Sequence, residues 1–222
     1  FLIFFLFVFV LPKFWLSNAM KKNDEELMNM PFTAEEFGQI ILKENNLSDV
    51  KIEETEQVDH YDLHDKTVRV QQGRLAKKSL TSLTIICHEI GHAIQHKEEY
   101  GPLVRRTSLV ERTQWISKFG GVILYSGLPL ILATGSFGLI KVCLLLVLIS
   151  VLLGVFIHLI TLDVEVDASF NRAMPILEEK IPTEYHSQCK NVLQAAAYTY
   201  VIGALTSFLS LRYIWLLLTR LR

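Results

Sequence analysis

ICHEIGHAIQHKEEYG, residues 86–101, carries two histidines four positions apart with a glutamate directly after the first. On a helix, at about 100° per residue, His88 and His92 project from one face toward a common point, with Glu89 beside them. Two imidazoles so spaced suit a zinc ion, and the glutamate between them suits a general base. Leu83, Ile86, Cys87, Ile90, Ala93 and Ile94 cluster on the opposite face, so the helix has an apolar side to bury and a chemical side. Cys87 reads as a buried thiol. The helical period runs from Ser79 to about Tyr100, and Gly101-Pro102 is expected to stop it. Gly91 costs roughly 1 kcal/mol of helix propensity relative to Ala, which suits a turn against which something packs closely. A bare H-E-x-x-H occurs by chance in unrelated proteins, so a third ligand decides. The H-x-x-G-x-x-H continuation is missing, because Glu98 stands where its last histidine would fall; His96 is read as solvent-facing.

Outward from the motif, half of the 222 residues are hydrophobic, and they gather in long runs, the profile of a membrane protein. A net charge of -1 leaves no basic stripe for nucleic acid. Cys87, Cys143 and Cys189 are odd in number and widely spaced, which argues for reduced thiols over a disulfide framework or a cysteine zinc cluster. FLIFFLFVFVLPKFWL, residues 1–16, is short against the about 20 residues a span needs. It reads as an uncleaved anchor, and the rival signal-peptide reading is weakened by the lack of an A-x-A-like site. Residues 119–138 and 142–162 are each long enough to cross, with Gly135, Ser136, Gly138 and Lys141 marking a tight turn between them. A further apolar run covers 195–218.

Between anchor and hairpin, residues 17–117 carry charges throughout and read as a catalytic domain. Thr33 and Glu36 form a capping box for a helix to about Asn45. VKIEETEQV and KTVRVQQ alternate as strands, with DHYDLHD as a turn between them. KTVRVQQ reads either as an ordinary strand or as an edge along which an extended substrate pairs. LVRRTSLVERTQWISK is amphipathic and carries Trp115 and Lys118, residue types that settle at a bilayer interface.

Two spans return the chain to the side it left, so the carboxylates of DVEVDAS, namely Asp163, Glu165 and Asp167, become reachable as a third ligand. At this point the chain resembles the bacterial membrane-bound neutral zinc metallopeptidases called YugP-like, and more distantly the HtpX-type membrane proteases. The resemblance rests on VDHYDLHDKTVRV (58–70), ICHEIGHAIQHKEEYG (86–101) and LITLDVEVDASFNRA (159–173), in that order, with hydrophobic spans between the last two. It implies that Glu165, and not Asp163, is the third ligand of one Zn²⁺ per chain, with Glu89 as the catalytic residue. The implied fold is mainly α and integral to the membrane. A small α+β zincin-like catalytic domain is joined by about four transmembrane helices, arranged as anchor 1–16, catalytic domain 17–117, hairpin 118–162, third-ligand segment 163–194 and C-terminal span 195–218.

The implied activity is metalloendopeptidase cleavage of protein or peptide substrates in membrane-protein quality control. His60, Tyr61, Arg172, Tyr185 and His186 are all candidates to stabilise the oxyanion. Asp167 reads as a positioning carboxylate behind a histidine or as an exposed surface acid. His158 sits inside a span, near its end. The rival readings are a site-2-type intramembrane protease and a non-catalytic zinc-binding membrane scaffold. The first is disfavoured because Lys77, Lys78, His96, Lys97, Glu98 and Glu99 flank the motif too closely for burial in lipid. The second is disfavoured because both histidines, Glu89 and a third ligand are intact. Lys13, Lys21, Lys22, Arg105, Arg106, Arg112, Lys118, Arg172 and Lys180 share the catalytic side, and Lys141, Arg220 and Arg222 oppose them. The positive-inside rule then puts the catalytic domain of a multi-pass cell-membrane protein in the cytoplasm. Oligomeric state is not legible.

Overall fold

The computed structural model describes residues 11–122, 126–127, 133 and 136–220, with the side chains of 206–220 and of a few residues before them left aside. Most of the expected anchor 1–16 and half of the first arm of the hairpin, 119–138, lie outside the described residues. Among the described residues the chain is mainly helical with a small three-stranded sheet. In order come α1 (Leu11–Lys22), α2 (Ala34–Glu44), β1 (Lys51–Thr55), β2 (His60–Asp62), β3 (Thr67–Gln71), α3 (Leu80–Lys97), α4 (Gly101–Val122) and α5 (Phe137–Val166). A π-helical segment (Asp167–Ala173), α6 (Met174–Lys180), a 3₁₀ turn (Thr183–Tyr185) and α7 (His186–Arg220) complete it.

Local sequence explains where these elements begin and end. Thr33 caps α2 through a complete capping box with Glu36, and Asn45 closes it. The buried face of α2, Ala34, Phe37, Gly38, Ile41 and Leu42, follows the helical period. Ser79 caps α3 by accepting from the Ser82 N–H. The break after α3 comes at Glu98 and Glu99, the latter with a φ of 50°. Gly101-Pro102 therefore opens α4 instead of stopping α3, in keeping with the tolerance of the first helical turn for proline.

The sheet departs from expectation in two ways. DHYDLHD is not simply a turn: His60–Asp62 forms β2, antiparallel to β3 with Tyr61 opposite Val68. β1 runs parallel to β3 with Ile52 opposite Val68, so the strand order is β1-β3-β2. The KTVRVQQ strand is thus paired on both sides and is no edge. Val68 and Val70, on one face of β3, are fully buried against the core.

That core gathers Phe37, Ile41, Val68, Val70, Leu83, Ile86, Ile90 and Leu177, each completely enclosed. Burying each such side chain contributes about 1.5–3 kcal/mol. α3 runs through the middle, and every residue from Leu80 to Gln95 except His88 is buried. Its chemical side is therefore covered as well as its apolar side.

The chain divides into two compact units. One comprises the chain up to Leu103 with Asp163–Thr199, and contains the sheet, α3, the π segment and α6. The other comprises Val104–Leu162 and the chain from Tyr200. Among the described residues one continuous helical stretch, Gly138–Lys180, is long and apolar enough to cross a membrane, with mean hydropathy 3.0 in its most apolar part. Within the second unit the His158 ring packs against Gly203, 3.3 Å from where a Cβ there would stand.

Candidate metal centre

One helical turn separates His88 from His92, and their ring centroids lie 4.8 Å apart. Glu165, next to last in α5 and 4% exposed, brings Oε2 to 3.3 Å from His88 Nε2 and 3.6 Å from His92 Nε2. One ligand atom from each of the three lies within 4.8 Å of the others. Two imidazole nitrogens and one carboxylate oxygen are a donor set that catalytic zinc sites use, with a further position left open. The residues fit the ion. Asp163 is exposed and outside the group, and Asp167, though buried, is hydrogen-bonded elsewhere.

The close packing that produces this group is local. Behind Gly91, a Cβ would come within 2.8 Å of the Ala168 carbonyl oxygen and 3.4 Å of Arg172 Cβ. Glycine lets the π segment lie directly on α3, and that segment begins two residues after Glu165. π turns inside helices recur at functional sites because they redirect side chains and carbonyls. Here the π segment brings Ser169 Oγ to 3.1 Å from His88 Nδ1. On the other ligand, Gln95 Oε1 lies 3.0 Å from His92 Nδ1. Sequence reading missed Gln95 and Ser169, although the signals were present. Gln95 stands three residues after His92, and Ser169 four after Glu165, spacings at which helical side chains share a face.

Burial and charge pull in different directions here. Burial alone would raise the Glu165 carboxyl, but hydrogen bonds and charge from His88 and His92 outweigh it and hold the group well below the usual carboxylate range. His92 is pushed down by burial, yet Glu165 and Glu89 together leave it above its ordinary value. Glu89, 6% exposed, is pushed up by burial, opposed by His88 and His92 and reinforced by Glu165 and Asp59. Burial raises the Cys87 thiol, whose Sγ donates to the Ala173 carbonyl at 3.5 Å, a core thiol as expected.

The other candidates each have a hydrogen-bond or ion-pair partner of their own. The Tyr61 hydroxyl pairs with His96 Nδ1 at 3.0 Å, and burial pushes it up to about 12. His96 is accordingly half-buried against Tyr61 and not simply solvent-facing. His60 and His186 donate to the carbonyls of Val58 and Ile181, both at 2.8 Å. Tyr185 bonds Glu184, and Arg172 pairs with Asp167 and Glu98.

Over residues 1–219 the chain matches the family described as "Putative neutral zinc metallopeptidase". The chain belongs to this family. It is also 33% identical, over 213 residues that cover 92% of this chain and 91% of the relative, to "Putative membrane protease YugP" of Bacillus subtilis (strain 168). No solved structure matches significantly. A zinc metallopeptidase family implies a metal, and His88, His92 and Glu165 are a group that could hold one.

Proposed function

We propose that the chain is a membrane-embedded zinc metalloendopeptidase in which His88, His92 and Glu165 hold one Zn²⁺ per chain and Glu89 is the catalytic base. The observation that carries the reading is the approach of Glu165 Oε2 to both histidine Nε2 atoms, at 3.3 and 3.6 Å. A bound zinc supplies Lewis acidity, making a water acidic near neutral pH and polarising a carbonyl oxygen. Glu89, on the same helix as both histidines, takes the proton from the attacking water and delivers it to the departing amine. Its buried position keeps bulk water from competing for that proton. The two histidines and Glu165 hold their donor atoms within 4.8 Å of one another, and Gly91 permits the close approach of the segment that follows Glu165.

Substrates are proteins or peptides, and membrane-protein quality control is the role the family resemblance suggests. The reading places residues 17–117 as a catalytic domain on the cytoplasmic side of the cell membrane. The anchor 1–16, the hairpin 118–162 and the run 195–218 supply four spans, and residues 163–194 bring the third ligand. The apolar helix from Gly138, with Leu145, Ile149, Leu152 and Phe156 exposed along it, supports membrane residence, as does a relative named as a membrane protease.

Wild-type chain and a Glu89→Gln variant, purified and assayed for zinc and for cleavage of an unfolded protein, test the mechanism. Both are expected to hold zinc equally, with cleavage by the variant down about 10²–10⁴-fold. Cleavage at the wild-type rate by the variant would remove Glu89 from its role, and zinc without cleavage in both would favour a non-catalytic scaffold.

A further inference from the structure

Gln95 is completely enclosed, and its amide is fully committed. Nε2 donates to the Val164 carbonyl at 2.9 Å and to Asp167 Oδ2 at 2.8 Å. A backbone carbonyl can only accept, so the amide cannot be turned end for end. Oε1 must face His92, and it lies 3.0 Å from Nδ1. Since Oε1 too can only accept, Nδ1 always carries a proton, so in the neutral ring Nε2, the atom facing Glu165, is the nitrogen left with a lone pair.

We infer that Gln95 is the positioning residue that sets the tautomer of His92 and ties it to the backbone carrying Glu165. The inference rests on the metal reading above. Val164 immediately precedes Glu165, so one amide clamps two ligands from two helices. An unconstrained neutral histidine prefers its proton on Nε2, the nitrogen the metal requires; Gln95 removes that preference before the metal arrives.

The contrast with the other histidine sharpens the assignment. Ser169 Oγ meets His88 Nδ1 at 3.1 Å, but a hydroxyl both donates and accepts and so dictates neither tautomer. Gln95 in turn is held by Asp167, which also accepts from Asn171 at 2.8 Å and from Arg172 Nε at 3.2 Å. The Arg172 guanidinium pairs with Glu98 at the end of α3 and lies over the Tyr100 ring at 5.9 Å. Asp167 thus acts on His92 through Gln95.

Zinc affinity by chelator competition on the full detergent-solubilised chain, with visible spectra of the cobalt-substituted protein, tests this. Gln95→Leu is expected to weaken zinc about 10–100-fold and to shift the cobalt ligand-field bands, because the His92 ring loses its fixed orientation. Loss of stability alone would not move the bands of the folded fraction. Asp167→Ala is expected to weaken zinc about 10-fold, and it carries the test should Gln95→Leu fail to fold. A folded Gln95→Leu or Asp167→Ala chain with wild-type affinity and unchanged bands overturns the inference while leaving the metal site standing. A wild-type chain that binds no zinc overturns the metal reading itself, and this inference with it.

Discussion

At the residue scale, what each carboxylate touches decides its charge. Glu165 is buried yet held ionised by two histidines, whereas Glu89, equally enclosed, is pushed up by its burial. Asp62, on β2, shows the same balance. Burial would raise its carboxyl, but the N–H groups of Asp65 and His64, together with Arg69, hold it below its usual range. A carboxyl whose folded pKa lies below its unfolded value contributes stability that is present above the unfolded pKa, about 4. That contribution is lost as pH falls through the folded pKa. Asp62→Asn should therefore lower the melting temperature most at neutral pH, with the gap to wild type closing as pH falls from about 5 to about 2. A gap that stays constant over that range would show that the Asp62 charge does not support the β2–β3 hairpin.

Among the elements, α3 and the π segment determine the site, and Gly91 is their point of closest approach. Helix propensity alone says that Gly91→Ala should stabilise α3 by about 1 kcal/mol. The 2.8 Å approach to the Ala168 carbonyl says the opposite, because that neighbour is backbone and cannot swing aside. Overpacking of this kind costs about 1–3 kcal/mol, so the variant should melt lower in detergent and bind zinc more weakly. A variant that melts higher with unchanged zinc affinity would contradict the packing. The sequence made α2 and α3 legible because Thr33 with Glu36 and the period of Leu83, Ile86, Ile90 and Ile94 are local signals. It hid β2, since three residues are too few to show an alternation and their pairing with β3 is set by tertiary contact. The π turn was hidden for a similar reason: DVEVDASFNRA scans as continuous helix, and the widening of the turn is decided by packing against α3.

Across the whole molecule, the candidate metal group unites residues far apart in the chain. HEIGH lies in one stretch of the first compact unit, and Glu165 enters that unit from the end of α5. The pair His88 and His92 was legible from spacing alone. Residue chemistry left Asp163, Glu165 and Asp167 open as partners, and burial now separates an exposed Asp163 from an enclosed Glu165. The network through Gln95 was not legible, since side-chain hydrogen bonds between α3 and α5 depend on how the two helices meet. Zinc content of the purified chain, compared with that of Glu165→Ala, tests whether Glu165 completes the metal group. About one zinc per wild-type chain and a near-complete loss in the variant are expected, because two imidazoles alone bind too weakly to survive purification. Stoichiometric zinc in a folded Glu165→Ala chain would contradict that role.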